Sequence, residues 1–216
     1  MGGQHKGGAT LTQLFGVGVT TMVIAALLPP LLAGEPEADG ISRAHYQTRD
    51  IANAVVSFYQ DLGRWPTMDA QGGERLTALV SGIGDARHLL MGIFGGDSPA
   101  DVDLLDNHLA RNQPSGNGHY ATDGPRAWHG PYLPETGLDP WGHPYVVYMA
   151  ALGAERAPGA DKAVVLSPGP NGIVETPARL GIAARFGGDD VGMAFYVRDT
   201  DPRETAFLEE VVAAAT

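Results

Sequence analysis

An α+β fold is predicted by three features of the sequence: a long uncharged apolar run near the N-terminus, a following stretch with helical three-four spacing, and short β-branched runs between turn-dense loops. The 216 residues are enough for one core of ordinary size. With 44% hydrophobic and 18% charged residues, the chain lacks the signature of disorder. Gly 30 and Pro 16 make up about a fifth of it, which points to long loops and away from a helical bundle. A net charge of −11 opposes sequence-independent nucleic-acid binding, which rests on neutralising phosphates, so no nucleic-acid partner is expected. Having no cysteine, the chain has no disulfide, thiolate metal site or cysteine nucleophile. If exported, it needs another staple for its loops, and a bound cation is one candidate.

From Leu14 to Leu32 no side chain is charged, and at ~1.5 Å per residue a helix of this length reaches roughly 28 Å, about one hydrocarbon core. Lys6 precedes the run and the first acid, Glu35, follows it, which orients the N-terminus to the cytoplasm and exports the bulk of the chain. Three readings fit: a secretory signal cut near Ala33, an uncleaved anchor, or a prepilin-type segment cut on the cytoplasmic side of the run.

After Ala33-Gly34-Glu35-Pro36, the residues Ile41, Ala44, Thr48, Ile51, Ala52, Val55, Phe58, Tyr59 and Leu62 keep the spacing of an amphipathic helix, with Gly63 as its stop. A short helix is predicted over 72–80. Another is predicted from about Pro99 to Arg111, capped by Ser98, with Asp97, Asp101, Asp103 and Asp106 either on a solvated face or available to a cation. Strands are expected in the Tyr145–Tyr148, Ala163–Leu166 and Met193–Val197 runs. Trp128 and Trp141 read as core aromatics, and 203–216 as a C-terminal helix by propensity. The adjacent acids Asp189 and Asp190 form either a solvated acidic turn or, with the Ser167–Gly172 loop, a site for a hard cation. No nucleophile elbow, zinc-binding helix or phosphate loop occurs. A Ser167, Asp189, His143 trio lacks any activating motif, so the chain reads as a non-enzyme.

Several of these stretches carry a resemblance. Gly7-Gly8 before Ala9-Thr10-Leu11-Thr12-Gln13, the apolar run and Pro30 resemble the type IV pilin-like superfamily. Arg64-Trp65-Pro66-Thr67, Trp128-His129-Gly130-Pro131-Tyr132-Leu133 and Asp139-Pro140-Trp141-Gly142 resemble its type II secretion system major pseudopilins more narrowly. The resemblance implies a long hydrophobic N-terminal helix continuing into an amphipathic helix packed on a small antiparallel β-sheet head with long loops. It divides the chain into a leader at 1–8 cut between Gly8 and Ala9, a membrane and assembly helix at 9–34, and a periplasmic head at 35–216. The stretch 81–126 has no counterpart and reads as an insertion. Gln13 stands where the family has Glu, so it cannot neutralise a neighbouring subunit's N-terminal amine, and Pro30 keeps the family's proline depth.

In that family a "SLGPDG" loop and a following "DDIG" hold one structural Ca²⁺. Carried over, the carbonyls of Pro168 and Val174 and the side chains of Asn171, Asp189 and Asp190 are the implied ligands; Asn171 removes one charge and 175–186 lengthens the loop. The implied function is a calcium-stabilised structural subunit of a periplasmic pseudopilus that serves protein secretion. Its implied partners are prepilin peptidase, sister pseudopilins in a filament and the inner-membrane secretion platform, and its implied location is the inner membrane, single-pass, with a periplasmic head. The alternatives are a type IV pilus subunit, or a membrane-anchored or secreted periplasmic binding or catalytic domain.

Overall fold

The computed structural model describes residues 36–91, 93, 101–149, 162–177, 185–197 and 206–209. Helix α1 runs Pro36–Leu62. Ala44, Thr48, Ile51, Ala52, Val55, Phe58 and Leu62 are buried along one stripe. The helix stops where the N–H of Gly63, at φ +66°, closes on the Tyr59 carbonyl.

Beyond α1 the elements are β1 (Ala78–Val80), α2 (Ala86–Met91), β2 (Val102–Leu104), α3 (Leu105–Leu109), β3 (Val146–Tyr148), β4 (Lys162–Ser167), β5 (Val191–Val197) and β6 (Ala206–Glu209). They form a six-stranded sheet in the order β2-β1-β3-β4-β5-β6. All neighbours are antiparallel except β1 and β2, which pair in parallel with Ala78 opposite Val102. Both faces are covered. Leu79, Val147, Val165, Met193 and Phe195 join the core with Ile51, Val55, Phe58 and Leu62 of α1. The alternate residues Ala78, Val80, Val146, Tyr148, Val164, Leu166 and Ala194 pack with Leu90 and Ile93 on the other side. Two-sided burial explains why these strands read as continuous apolar runs.

The expected fold is corrected in five places. The described chain has no long apolar helix: α1 is amphipathic, and among the described residues no helix is long and apolar enough to cross a membrane. The apolar run 14–32, with Gly8, Ala9, Gln13 and Pro30, lies outside the described residues. The sheet is mixed rather than small and antiparallel, because the 81–126 stretch supplies β2 as a parallel edge strand and α2 as a cover. Where a helix was expected over 72–80 there is a turn and then β1, for Asp69 Oδ1 accepts the N–H of Gln71 and Gly73 and Met68 bridges to Glu74. Similarly, Val102–Leu104 leaves the expected 99–111 helix to pair with β1, so that only Leu105–Leu109 of it is helical among the described residues, and within the expected 203–216 helix the described Ala206–Glu209 is β6 on the β5 edge, the rest lying outside the described residues. In both cases tertiary strand pairing overrides local helix propensity.

Candidate metal centre

The sheet's register gathers the distinctive loops. Ser167 pairs with Val191 and Val146 with Leu166, so the chain leaving β4, the chain entering β5 and the turn entering β3 all lie at one end of the sheet. The Asp139–Gly142 turn is built on its own carboxylate. Asp139 Oδ1 accepts the N–H of Trp141 at 2.9 Å and of His143 at 2.8 Å, while Oδ2 accepts the buried hydroxyl of Ser167. Ser167 Oγ in turn accepts the Gly169 N–H at 3.1 Å, and His143 Nδ1 lies 3.0 Å from the Gly169 carbonyl, to which it donates. Ser167 and His143 are thus committed to holding two loops together, and the Ser167 hydroxyl faces Asp139 rather than an imidazole. Trp128 and Trp141 are partly buried, not full core: Trp128 Nε1 donates to the His108 carbonyl, and the Trp141 ring lies against Gly40.

The five implied metal ligands fall in the two loops beside this turn. Asp189 Oδ2 accepts the Asn171 N–H at 3.0 Å. Asn171 Oδ1 is engaged by the Ile173 N–H at 2.7 Å, so its oxygen is not free for an ion in this conformation. Asp190 is fully buried, and its Oδ2 accepts the N–H of Glu175 at 3.0 Å and of Thr176 at 2.6 Å. Burial pushes the Asp190 carboxyl up to about 6, against the hydrogen bonds from Thr176 and Glu175 and with help from the Glu175 charge. Pro168 is buried, and Val174 is tied by its N–H to the Ile93 carbonyl at 2.9 Å.

Two oxygens decide whether these residues fit a cation. Asp189 Oδ1 and Asp190 Oδ1 are both buried, and neither has a hydrogen-bond partner. Buried carboxylate oxygens are ordinarily satisfied, and a pair of bare ones on adjacent residues is the donor set of a hard cation such as Ca²⁺. Among the described residues, no group of three acidic or imidazole side chains is already gathered to hold a metal. A cation here would therefore take the two aspartates and complete its shell from loop carbonyls, those of Pro168 and Val174 being the ones the resemblance names. Glu175, which the sequence did not single out, stands beside them. The one available signal was the Gly187-Gly188 pair ahead of the two aspartates, since such glycines mark a place where something approaches the backbone closely.

A second buried polar cluster lies in the 81–126 stretch. His108 is fully buried between Tyr120 Oη, 2.6 Å from Nδ1, and Asp103 Oδ2, 2.9 Å from Nε2. Asp103 Oδ2 also accepts the Ser115 N–H at 2.6 Å, while Oδ1 accepts the Leu104 N–H and Asn107 Nδ2. Burial opposes the charge of Asp103, but the hydrogen bond and charge of His108 and the two backbone N–H groups outweigh it and lower its pKa below 3.8. Asp106, likewise buried, accepts the Thr136 N–H at 2.9 Å. The expected solvated acidic face is thus corrected for these two residues: Asp103 on β2 and Asp106 on α3 are both buried, and each finds donors there. Asp101 is exposed, and Asp97 lies outside the described residues. Compared with protein families, with characterised proteins and with solved structures, the chain matches none.

Proposed function

We propose that this chain is a structural, non-catalytic subunit of a periplasmic pseudopilus that serves type II protein secretion. In this reading the apolar run Leu14–Leu32 holds the chain in the inner membrane, prepilin peptidase cuts between Gly8 and Ala9, and the head faces the periplasm. Sister subunits and the inner-membrane secretion platform are its partners. One observation carries the reading: three stretches that resemble the secretion pseudopilin head, Asp139–Gly142, Ser167–Gly172 and Asp189–Gly192, lie far apart in sequence yet interlock at one end of the sheet through Asp139–Ser167, His143–Gly169 and Asn171–Asp189. Calcium, when bound, would supply a divalent charge that Asp189 and Asp190 would hold. The chain's own residues then do the structural work: Asp190 Oδ2 clamps the backbone at Glu175 and Thr176, and Asp189 Oδ2 clamps it at Asn171.

The test is the N-terminus of the protein recovered from membranes of a strain that supplies an active prepilin peptidase. A mature chain starting at Ala9 is expected. A start just after Ala33, or an uncut Met1 chain, would overturn the filament reading and return the head to the class of exported binding or catalytic domains.

A further inference from the structure

The charge that Asn171 lacks has a nearby replacement. Glu175 lies across the backbone of the opposite loop: a Cβ built on Gly188 would fall 1.3 Å from Glu175 Oε2, and one on Gly187 would fall 2.6 Å from the Glu175 carbonyl. Gly188 adopts φ +48° there, so glycine at this position answers both the backbone conformation and the carboxylate against it. The Glu175 side chain is exposed, and among the described residues its side-chain hydrogen bond is from Asn171 Nδ2, at a long 3.3 Å. Glu175 therefore sits between the residue that lacks the charge and the two aspartates whose Oδ1 atoms are bare. Among the described residues, none of these three carboxylates has an ion pair, although most other buried or half-buried acids of the head do or are fully hydrogen-bonded. Glu175 against Gly188 puts its charge beside the loop that carries Asp189 and Asp190, where like charges repel, and a divalent cation is the simplest group that reverses the sign of that interaction.

We propose that Glu175 is a direct ligand of the loop cation, its carboxylate taking the place left by an uncharged side chain at Asn171. The inference rests on the calcium reading of these loops. A rotation about the Glu175 side-chain bonds brings its carboxylate over Gly188 toward Asp189 and Asp190 and exchanges one long hydrogen bond for an ionic contact. The site then carries three negative charges from Glu175, Asp189 and Asp190, with the Asn171 amide left to brace the loop through the Ile173 N–H.

Calcium titration of the detergent-solubilised full chain, followed by calorimetry and by melting temperature, tests this on the wild type, Glu175→Gln, Asn171→Asp and the double variant. The wild type is expected to bind Ca²⁺, Glu175→Gln to bind at least tenfold more weakly, and the double variant to regain most of the loss. In chelator, Glu175→Gln should melt no lower than the wild type, because it relieves repulsion and keeps an oxygen to accept from Asn171; Glu175→Leu, which removes that acceptor, should also melt no lower, and a marked loss there with calcium affinity unchanged in Glu175→Gln would assign Glu175 a purely structural role. Calcium affinity of Glu175→Gln within twofold of a binding wild type would overturn the role of Glu175 and leave the calcium site standing. A wild type that neither binds calcium nor melts higher with it would overturn the site itself.

Discussion

Two regions of the head bury aspartates and treat them in opposite ways. In the 81–126 stretch every oxygen of Asp103 is met by a donor of the protein: Leu104 and Asn107 on one side, Ser115 and His108 on the other. At the far loops Asp189 and Asp190 each satisfy one oxygen on a backbone N–H and leave the other bare. The carboxyl of Asp103 is held below its ordinary value while that of Asp190 is pushed up to about 6. Burial is comparable in the two places, so the difference lies in the donors. A charge whose partners belong to the fold stabilises the fold by itself, whereas a carboxylate oxygen left bare gains no such compensation for its burial.

The largest effect that would break this contrast is expected at His108. His108→Ala leaves Asp103 charged, buried and without its principal partner, and should cost about 3 kcal/mol of unfolding free energy, in line with breaking a buried pair by removing one side. Urea unfolding of the full chain in detergent, with and without calcium, measures it. The loss should be the same in both conditions, and a loss that calcium repaired would mean that the two regions are one coupled site.

Next in size is Asp190→Asn. It keeps an oxygen for the Glu175 and Thr176 N–H groups and removes the charge that has no partner. In chelator the variant should be as stable as the wild type. With calcium at a hundredfold excess over its dissociation constant the wild type should gain about 2.7 kcal/mol and the variant almost nothing. A variant that is destabilised even in chelator would place Asp190 in the same class as Asp103.

The smallest effect is the pH dependence of Asp103. Its folded pKa is lowered, so its contribution is complete above the ordinary carboxyl value near 3.8 and is lost as the pH falls through the lower, folded value. Unfolding midpoints recorded between pH 5 and pH 2 should fall more steeply for the wild type than for Asp103→Asn. Parallel curves would show that the network with His108 and Ser115 does not carry its pKa.

Much of the architecture is legible in the residues, and the gaps have a common cause. The stripe from Ala44 to Leu62 announces α1, because 3.6-residue periodicity is local and long enough to average over exceptions. The β-branched runs at 146–148, 162–167 and 191–197 announce β3, β4 and β5. In contrast, β1, β2 and β6 are three or four residues long, too short for any period to be read, and exist because a partner strand is available. Ala206–Glu209 sits in a segment of good helix formers, yet its backbone is paired with Ala194–Val197. The cluster around Asp103 was equally hidden: Asp103 and Asp106 read as one solvated helix face, and the break into β2 and α3 leaves both side chains buried.

For the candidate site, the residue types in the Ser167–Gly172 and Asp189–Gly192 loops offer the carboxylate, amide and carbonyl oxygens that a hard cation takes, and equally those of a solvated acidic turn. What the sequence by itself determined is therefore the helix, the strand runs and the composition of the loops, all set by local periodicity and side-chain chemistry. The tertiary structure alone decided which carboxylate oxygens are bare, that Ser167 and His143 serve as braces, and that Glu175 reaches Gly188. Each depends on the Ser167–Val191 register, which brings chain segments distant in sequence within hydrogen-bonding reach, and no local pattern encodes a distance between segments that meet only when the sheet forms.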